Sequence, residues 1–131
     1  MLREHLGYVS DSVRLDLYRA AIAKVVEPGH TVADLGCGSG VLGLLCLQAG
    51  AAVVFAVDET AMLEVARHTF ERAGLGDRAT LLRGRSQRVK LQRSVDVVVC
   101  DHVGYFGFDY GIVAMLRDAN QRFLKPGGHT I

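Results

Sequence analysis

VADLGCGSGVLGLLCLQAGAAVVFAVD, residues 32–58, decides how the rest of the chain is read. A short apolar stretch ends in Asp34 and in glycines at alternate positions, Gly36, Gly38 and Gly40. An apolar segment of helical length follows, closed by Gly50 in the position that helices end on. A β-branched run then ends in Asp58. Strand, glycine turn, helix and second strand make a βαβ unit. Working outward, DSVRLDLYRAAIAKVV predicts a helix over 11–26, with Val13, Leu17, Ala21 and Val25 recurring at i+4, joined by Tyr18 and Ile22. Ser10, Asp11 or Ser12 can cap its start, and Pro28-Gly29 stops it. Downstream, TAMLEVARHTFERAG reads as a helix with Leu63, Ala66, Phe70 and Ala73 on one face and Gly74 beyond its end. ATLLRG is a third strand and SVDVVVCD a fourth. Ile112, Leu116, Ala119 and Phe123 mark a helix from about Asp109 to Phe123, LKPGG is a stop, and HTI opens a fifth strand.

This order predicts an α/β fold: a Rossmann-like parallel sheet with flanking helices, in a single domain over 1–131 with its core over 31–131. The second and fourth strands are almost wholly apolar, as strands covered on both faces are. A domain whose sequence stops inside a strand is expected to be incomplete, a piece truncated at the fifth strand. The net charge is +1, so bulk charge gives no reason to expect a nucleic-acid or membrane partner. The longest apolar run, Ala49–Val57, falls well short of the roughly 18 residues that span a bilayer. MLREHLGYVSD has no apolar core of a secretory signal. Cys37, Cys46 and Cys100 are odd in number and lack CxxC spacing, which argues against a disulfide framework or a metal site and for the cytoplasm. Arg83, Arg85, Arg88, Lys90 and Arg93 form a local basic run without an intervening acid. It reads as a solvated face at the sheet edge, or as contact for an acidic protein or ribosomal RNA whose binding would fall steeply with salt.

Ligands of such sheets sit beyond the carboxyl ends of the strands, so DLGCGSG, VDET, RGRSQ and CDHVGYFGFDYG should meet at one rim. The glycines support two patterns, G-x-G-x-G in GCGSG and the dinucleotide fingerprint G-x-G-x-x-G in GSGVLG. A plain βα turn does not need three glycines at alternate positions. Asp34 separates the candidate ligands. A pyrophosphate beside it would meet a like charge, a repulsion of ~4 kcal/mol at ~4 Å and an effective dielectric of ~20. A ligand with an ammonium and a sulfonium and no phosphate, such as S-adenosylmethionine, suits the acid. Asp58 can accept hydrogen bonds from ribose hydroxyls in either case. No GK[ST] follows the glycines, which excludes a P-loop.

At these residues the chain resembles the first two motifs of class I S-adenosylmethionine-dependent methyltransferases. DSVRLDLYRAAI, RGRSQRV, CDHVGYFGFDYG and FLKPGG, in that order and spacing, are similar to the cofactor-binding core of protein arginine methyltransferases. The resemblance implies S-adenosyl-L-methionine as cofactor. It implies that Arg14 pairs with the methionyl carboxylate, a job that suits a planar guanidinium. Asp34, Gly36, Cys37, Gly38 and Gly40 would line the methionyl and ribose parts. Asp58, with Glu59 beside it, takes the place of the family's ribose-binding Glu. Ser86 and Gln87 fall where the family contacts adenine, Gln87 keeping the acceptor for the amino group without the usual charge.

Arginine methyltransferases hold the acceptor guanidinium with two Glu in the loop after the fourth strand. Here the first aligns with Asp101. The second aligns with Tyr110, with Asp109 one position earlier, and His102 stands where a Trp is common. Asp109 enters the site if the loop bulges between Gly107 and Gly111, and otherwise serves as a helix N-cap. His102 can act as a base near neutral pH, or be merely exposed. Tyr105, Phe106 and Phe108 pack the loop or wall the methyl group. The expectation is a methyltransferase acting on a protein side chain, arginine among them, with a homodimer in the full-length protein. The alternatives are a small-molecule acceptor, or a cofactor-binding module without catalysis.

Overall fold

The computed structural model describes Arg3, residues 11–101 and residues 111–131. The chain builds helix α1 (Ser12–Val25), strand β1 (Thr31–Leu35), α2 (Val41–Gln48), β2 (Val53–Asp58), α3 (Met62–Arg72), β3 (Ala79–Arg83), β4 (Val95–Cys100), α4 (Ile112–Arg122) and β5 (Leu124–Thr130). The five strands form one sheet in the order β3-β2-β1-β4-β5. All pairs are parallel. Strand order reverses between β1 and β4, which makes their carboxyl ends the switch point where such sheets open a crevice.

Side-chain alternation sorts the core into two layers. Val32, Val54, Ala56, Val97 and Val99 face α1, α2 and α3 and pack on Ile22, Leu42, Cys46, Leu63, Ala66 and Phe70. Ala33, Leu35, Phe55, Val57, Val98 and Cys100 face the other way, onto Ile112, Met115, Ala119 and Phe123 of α4. Every residue of β1 is buried, as a central strand covered on both sides must be.

Two expectations need correcting. The buried stripe of α1 is not the run of Val13, Leu17, Ala21 and Val25. Val13 and Leu17 are 70% and 67% exposed, while Arg14, Tyr18 and Ile22 turn inward. The packed row is thus the neighbouring i+4 set, one position on from the apolar run, and it begins with Arg14 and Tyr18, whose stems and ring pack while their polar ends reach the rim. The fifth strand also begins earlier than HTI. Leu124 already pairs with Val95, the ladder slips between Val95 and Val97, and His129 and Thr130 rejoin it. The KPGG segment is therefore a bulge within β5 rather than a stop before it. A Cβ on Gly128 would come within 2.8 Å of the Asp96 carbonyl oxygen, which explains the glycine there. Among the described residues no helix is long and apolar enough to cross a membrane.

Candidate functional site

The carboxyl rim is shaped first by the turn after β1. Gly36, Gly38 and Gly40 all have left-handed φ, at 66°, 54° and 83°. That alternation is closed to side-chain-bearing residues at low cost, which accounts for the motif. The turn is fixed by the Cys37 N–H on the Val57 carbonyl at 2.9 Å and the Gly40 N–H on the Cys37 carbonyl at 2.9 Å. Asp34 lies beneath it, 1% exposed, its Oδ2 accepting the Gly43 N–H at 3.0 Å. Burial pushes its carboxyl up to about 7, against the pull of that hydrogen bond. Gly43 is the third residue of α2, so Asp34 already occupies an amide that a helix N-terminus would otherwise offer to a phosphate. Glycine fits closely there, since a Cβ would stand 3.0 Å from Val54 and 3.2 Å from Asp34 Oδ2 and make these neighbours give way.

Asp58 organises the next part of the rim. Its Oδ2 accepts the Gly38 N–H at 2.8 Å. Its Oδ1 accepts the Thr60 N–H at 2.8 Å and the Thr60 hydroxyl at 2.6 Å. A carboxylate offers about four lone-pair sites, so one stays open after these three bonds. Asp58 also lines a cleft of about 480 Å³, together with Gly36, Glu59, Ser86, Gln87 and Met115. Glu59 meets Arg85 at 2.9 Å at the exposed mouth. The Ser86 hydroxyl donates to Gln87 Oε1 at 3.2 Å.

A second grouping lies at the end of β4. Asp101 forms an ion pair with Arg14 and accepts a hydrogen bond from the Tyr18 hydroxyl at 2.8 Å. Arg14 and Tyr18 are one helical turn apart, so α1 turns both toward the same carboxylate. Asp101 and Arg14 keep 18% and 21% exposure, enough for a ligand to reach them. Burial raises the Tyr18 phenol above its ordinary value, partly offset by Arg14, so the hydroxyl stays a donor.

The structure thus gathers Gly36, Asp58, Glu59, Ser86 and Gln87 around one cleft, and Arg14 with Asp101 beside the switch point. It places Asp34 beneath the turn, with Cys37, Gly38 and Gly40 as buried members of the turn itself. Burial, reinforced by Asp34, pushes the Cys37 and Cys46 thiols up, so neither is a thiolate nucleophile. His102 and Asp109 lie outside the described residues. The N-cap position of α4 belongs to Gly111. Sequence reading missed Thr60, Tyr18 as a partner of Asp101, and Arg122, which donates to the Ser86 carbonyl at 2.6 Å. The D-x-T spacing of Asp58 and Thr60 and the i, i+4 spacing of Arg14 and Tyr18 carry a local signal for the first two. Nothing local announces Arg122. Among the described residues no cluster of three or more His, Cys, Asp or Glu is placed to hold a metal ion.

A family model described as ribosomal protein L11 methyltransferase (PrmA) matches residues 17–131. The chain belongs to this family of class I methyltransferases. The chain is 35% identical over 127 residues to a probable protein arginine N-methyltransferase 6 of Arabidopsis thaliana, covering 95% of this chain and 29% of that relative. It superposes on protein arginine methyltransferase 10 of Arabidopsis thaliana, solved in an open conformation, with a TM-score of 0.92 at 33% identity, covering 98% of this chain and 37% of that one. A Trypanosoma brucei PRMT1 enzyme–prozyme heterotetramer solved with AdoHcy gives 0.90 at 26% identity, over 97% of this chain and 41% of that one. The chain spans about three tenths of the length of the curated relatives it matches.

Proposed function

We propose that the chain is the S-adenosylmethionine-binding domain of a methyltransferase that modifies a protein side chain, arginine in particular. Support for the acceptor comes from the names of its relatives and, within the molecule, from Asp101. This carboxylate ends β4 at the switch point and is oriented by two side chains of α1. The family model and the arginine methyltransferases share a protein acceptor in their printed names.

The residues present fit the cofactor. The open lone pair of Asp58 suits a ribose hydroxyl, Gln87 offers an acceptor to the adenine amino group, and Met115 gives the base an apolar neighbour. Asp34 fills an anion-binding amide with a carboxylate, which favours a ligand without phosphate. Arg14 has five N–H donors, enough to hold Asp101 and the donor's amino-acid carboxylate together. S-adenosylmethionine, when bound, supplies a methyl carbon activated by a sulfonium. A guanidinium acceptor stays protonated at neutral pH, its pKa lying above ~12. Asp101 would accept its N–H groups, concentrate its positive charge away from the attacking nitrogen, and receive the proton that methylation releases. Asp109 as second carboxylate and His102 as base belong to this proposal on sequence grounds.

The proposal extends to one domain over residues 1–131, a cytoplasmic setting and assembly with a second copy in the full-length protein. Its three cysteines are buried, odd in number and without CxxC spacing, a set at home in a reducing compartment. Labelled methyl transfer by the full-length protein to arginine-rich peptides tests the central reading. Asp101→Asn should lower incorporation by about 100-fold or more, the scale of a lost transition-state contact. Incorporation that skips arginine, or that survives Asp101→Asn in full, contradicts it.

A further inference from the structure

Arg122, the last residue of α4, ties that helix to the β3–β4 connection. Its Nε and Nη2 donate to Asp118 Oδ1 and Oδ2 at 2.7 and 2.9 Å, a bidentate pair within one helical turn. The opposite edge of the same guanidinium donates to two backbone carbonyls, Nη2 to Ser86 at 2.6 Å and Nη1 to Val89 at 3.0 Å. The guanidinium also lies 4.6 Å from the ring centroid of Phe123, which is 2% exposed and fixed in the core. Asp118 therefore aims a planar fork, and Phe123 supports it from behind.

The carbonyls it holds belong to a short turn. The Arg88 and Val89 N–H groups both donate to the Arg85 carbonyl, at 2.9 and 3.1 Å. At its other end the Gly84 N–H donates to the Asp58 carbonyl at 3.0 Å, which joins the turn to the end of β2. Between these two attachments stand Ser86 and Gln87, both on the cleft wall. Besides Gly84 and Arg122, the turn is tied to the body of the fold by Val89, which packs against the α4 layer, and by the exposed Arg85–Glu59 ion pair, while Arg88 is exposed.

We propose that Arg122 is the positioning residue for the base end of the cleft. With Asp118 as its orienter, it holds the Ser86–Gln87 turn at the height from which Gln87 reads an adenine. The inference rests on the S-adenosylmethionine reading and adds to it the residue that sets base recognition. The fork matters as much as the charge. A Lys ammonium at this place is a point donor and cannot serve Asp118 and two carbonyls in one plane.

Calorimetric titration with S-adenosylhomocysteine tests this on the wild-type chain, Arg122→Lys, Arg122→Gln, Gln87→Ala and the Arg122→Gln/Gln87→Ala double variant. Each single variant should weaken binding by about 10-fold, and the double variant by about the same 10-fold, because both act through one contact. Asp118→Asn, which keeps Arg122 but loosens its aim, should weaken binding by about 3-fold. Amide exchange without ligand should quicken at Arg88 and Val89 in Arg122→Gln and stay unchanged at Val54–Val57. Wild-type affinity in the Arg122 variants, losses that multiply to about 100-fold in the double variant, or unchanged exchange in the turn would overturn the inference. Failure of the wild-type chain to bind S-adenosylhomocysteine overturns the cofactor reading instead, while the exchange measurement still reports separately whether Arg122 holds the turn.

Discussion

Asp34 and Asp58 close neighbouring parallel strands, and both are buried. Asp34 is opposite Ala56 in the ladder, and Leu35 is opposite Val57. One further step puts Asp58 level with Gly36, a full pleat repeat, or about 7 Å, nearer the rim than Asp34. Asp34 therefore stays within the sheet, beneath α2, with one donor among the described residues, Gly43. Asp58 emerges at the rim, gathers Gly38 and Thr60, and still borders the cleft. An acid at the end of a strand is thus not a ligand contact by virtue of its place in the motif. Its register against the neighbouring strand decides whether it supports the turn or faces the ligand.

The sharpest separation of the two acids is through pH. Asp34 has a folded-state carboxyl raised to about 7 from an ordinary 3.8. Between those values the folded chain holds a proton that the unfolded chain has lost, so this carboxyl makes stability fall as pH rises from about 4 to 7. The upper limit of that loss is about 4 kcal/mol. Denaturant unfolding at pH 5 and pH 8 should show the fall in the wild-type chain and a much flatter profile in Asp34→Asn, whose amide oxygen can still accept the Gly43 N–H. Parallel profiles would show that Asp34 is not a buried, single-donor acid.

Asp58→Ala attacks the other side of the comparison. It strips the acceptor from Gly38 and Thr60 and removes the proposed ribose contact. S-adenosylhomocysteine affinity should drop by about 100-fold, which corresponds to about 2.7 kcal/mol, whereas Asp34→Asn should change it by less than about 3-fold. Equal losses would erase the distinction between support and contact.

Gly43→Ala tests the support alone. Its Cβ would press on Val54, Asp34 and Phe70 at 3.0–3.2 Å. Overpacking of this kind costs about 1–3 kcal/mol, read as a lowered denaturant midpoint with an unchanged slope. Unaltered stability would mean that α2 does not sit tightly on Asp34. The smallest effect is expected at Tyr18→Phe, which removes one hydrogen bond to Asp101 and should lower stability by about 1 kcal/mol or less. Methyl transfer by the full-length protein should fall several-fold with little change in cofactor affinity. An equal fall in both would assign Tyr18 to the cofactor instead.

Most of the fold was legible because its signals are local. Glycine turns and unbroken apolar strands set the order of elements, and the parallel sheet follows from that order. The α1 face was misread because its packed row begins with Arg14, which a count of apolar residues passes over, and β5 because a strand can bulge across Pro126-Gly127-Gly128 and rejoin its partner. In the site, Asp58 was legible as the acid ending a strand, and Ser86 and Gln87 through the family resemblance; all three line one cleft. The Arg14–Asp101 pair, 87 positions apart in the sequence, was not legible, because only the packing of α1 on the sheet brings it together. Arg122 was equally silent, since it acts through backbone carbonyls that any residue could supply.

The central claim is that this rim takes a nucleoside ligand with an amino-acid tail and no phosphate. Calorimetry of the chain with S-adenosylhomocysteine and, separately, with NAD tests it most directly. Binding of S-adenosylhomocysteine in the micromolar range is expected, with no heat of binding with NAD. Binding of NAD without binding of S-adenosylhomocysteine would contradict it.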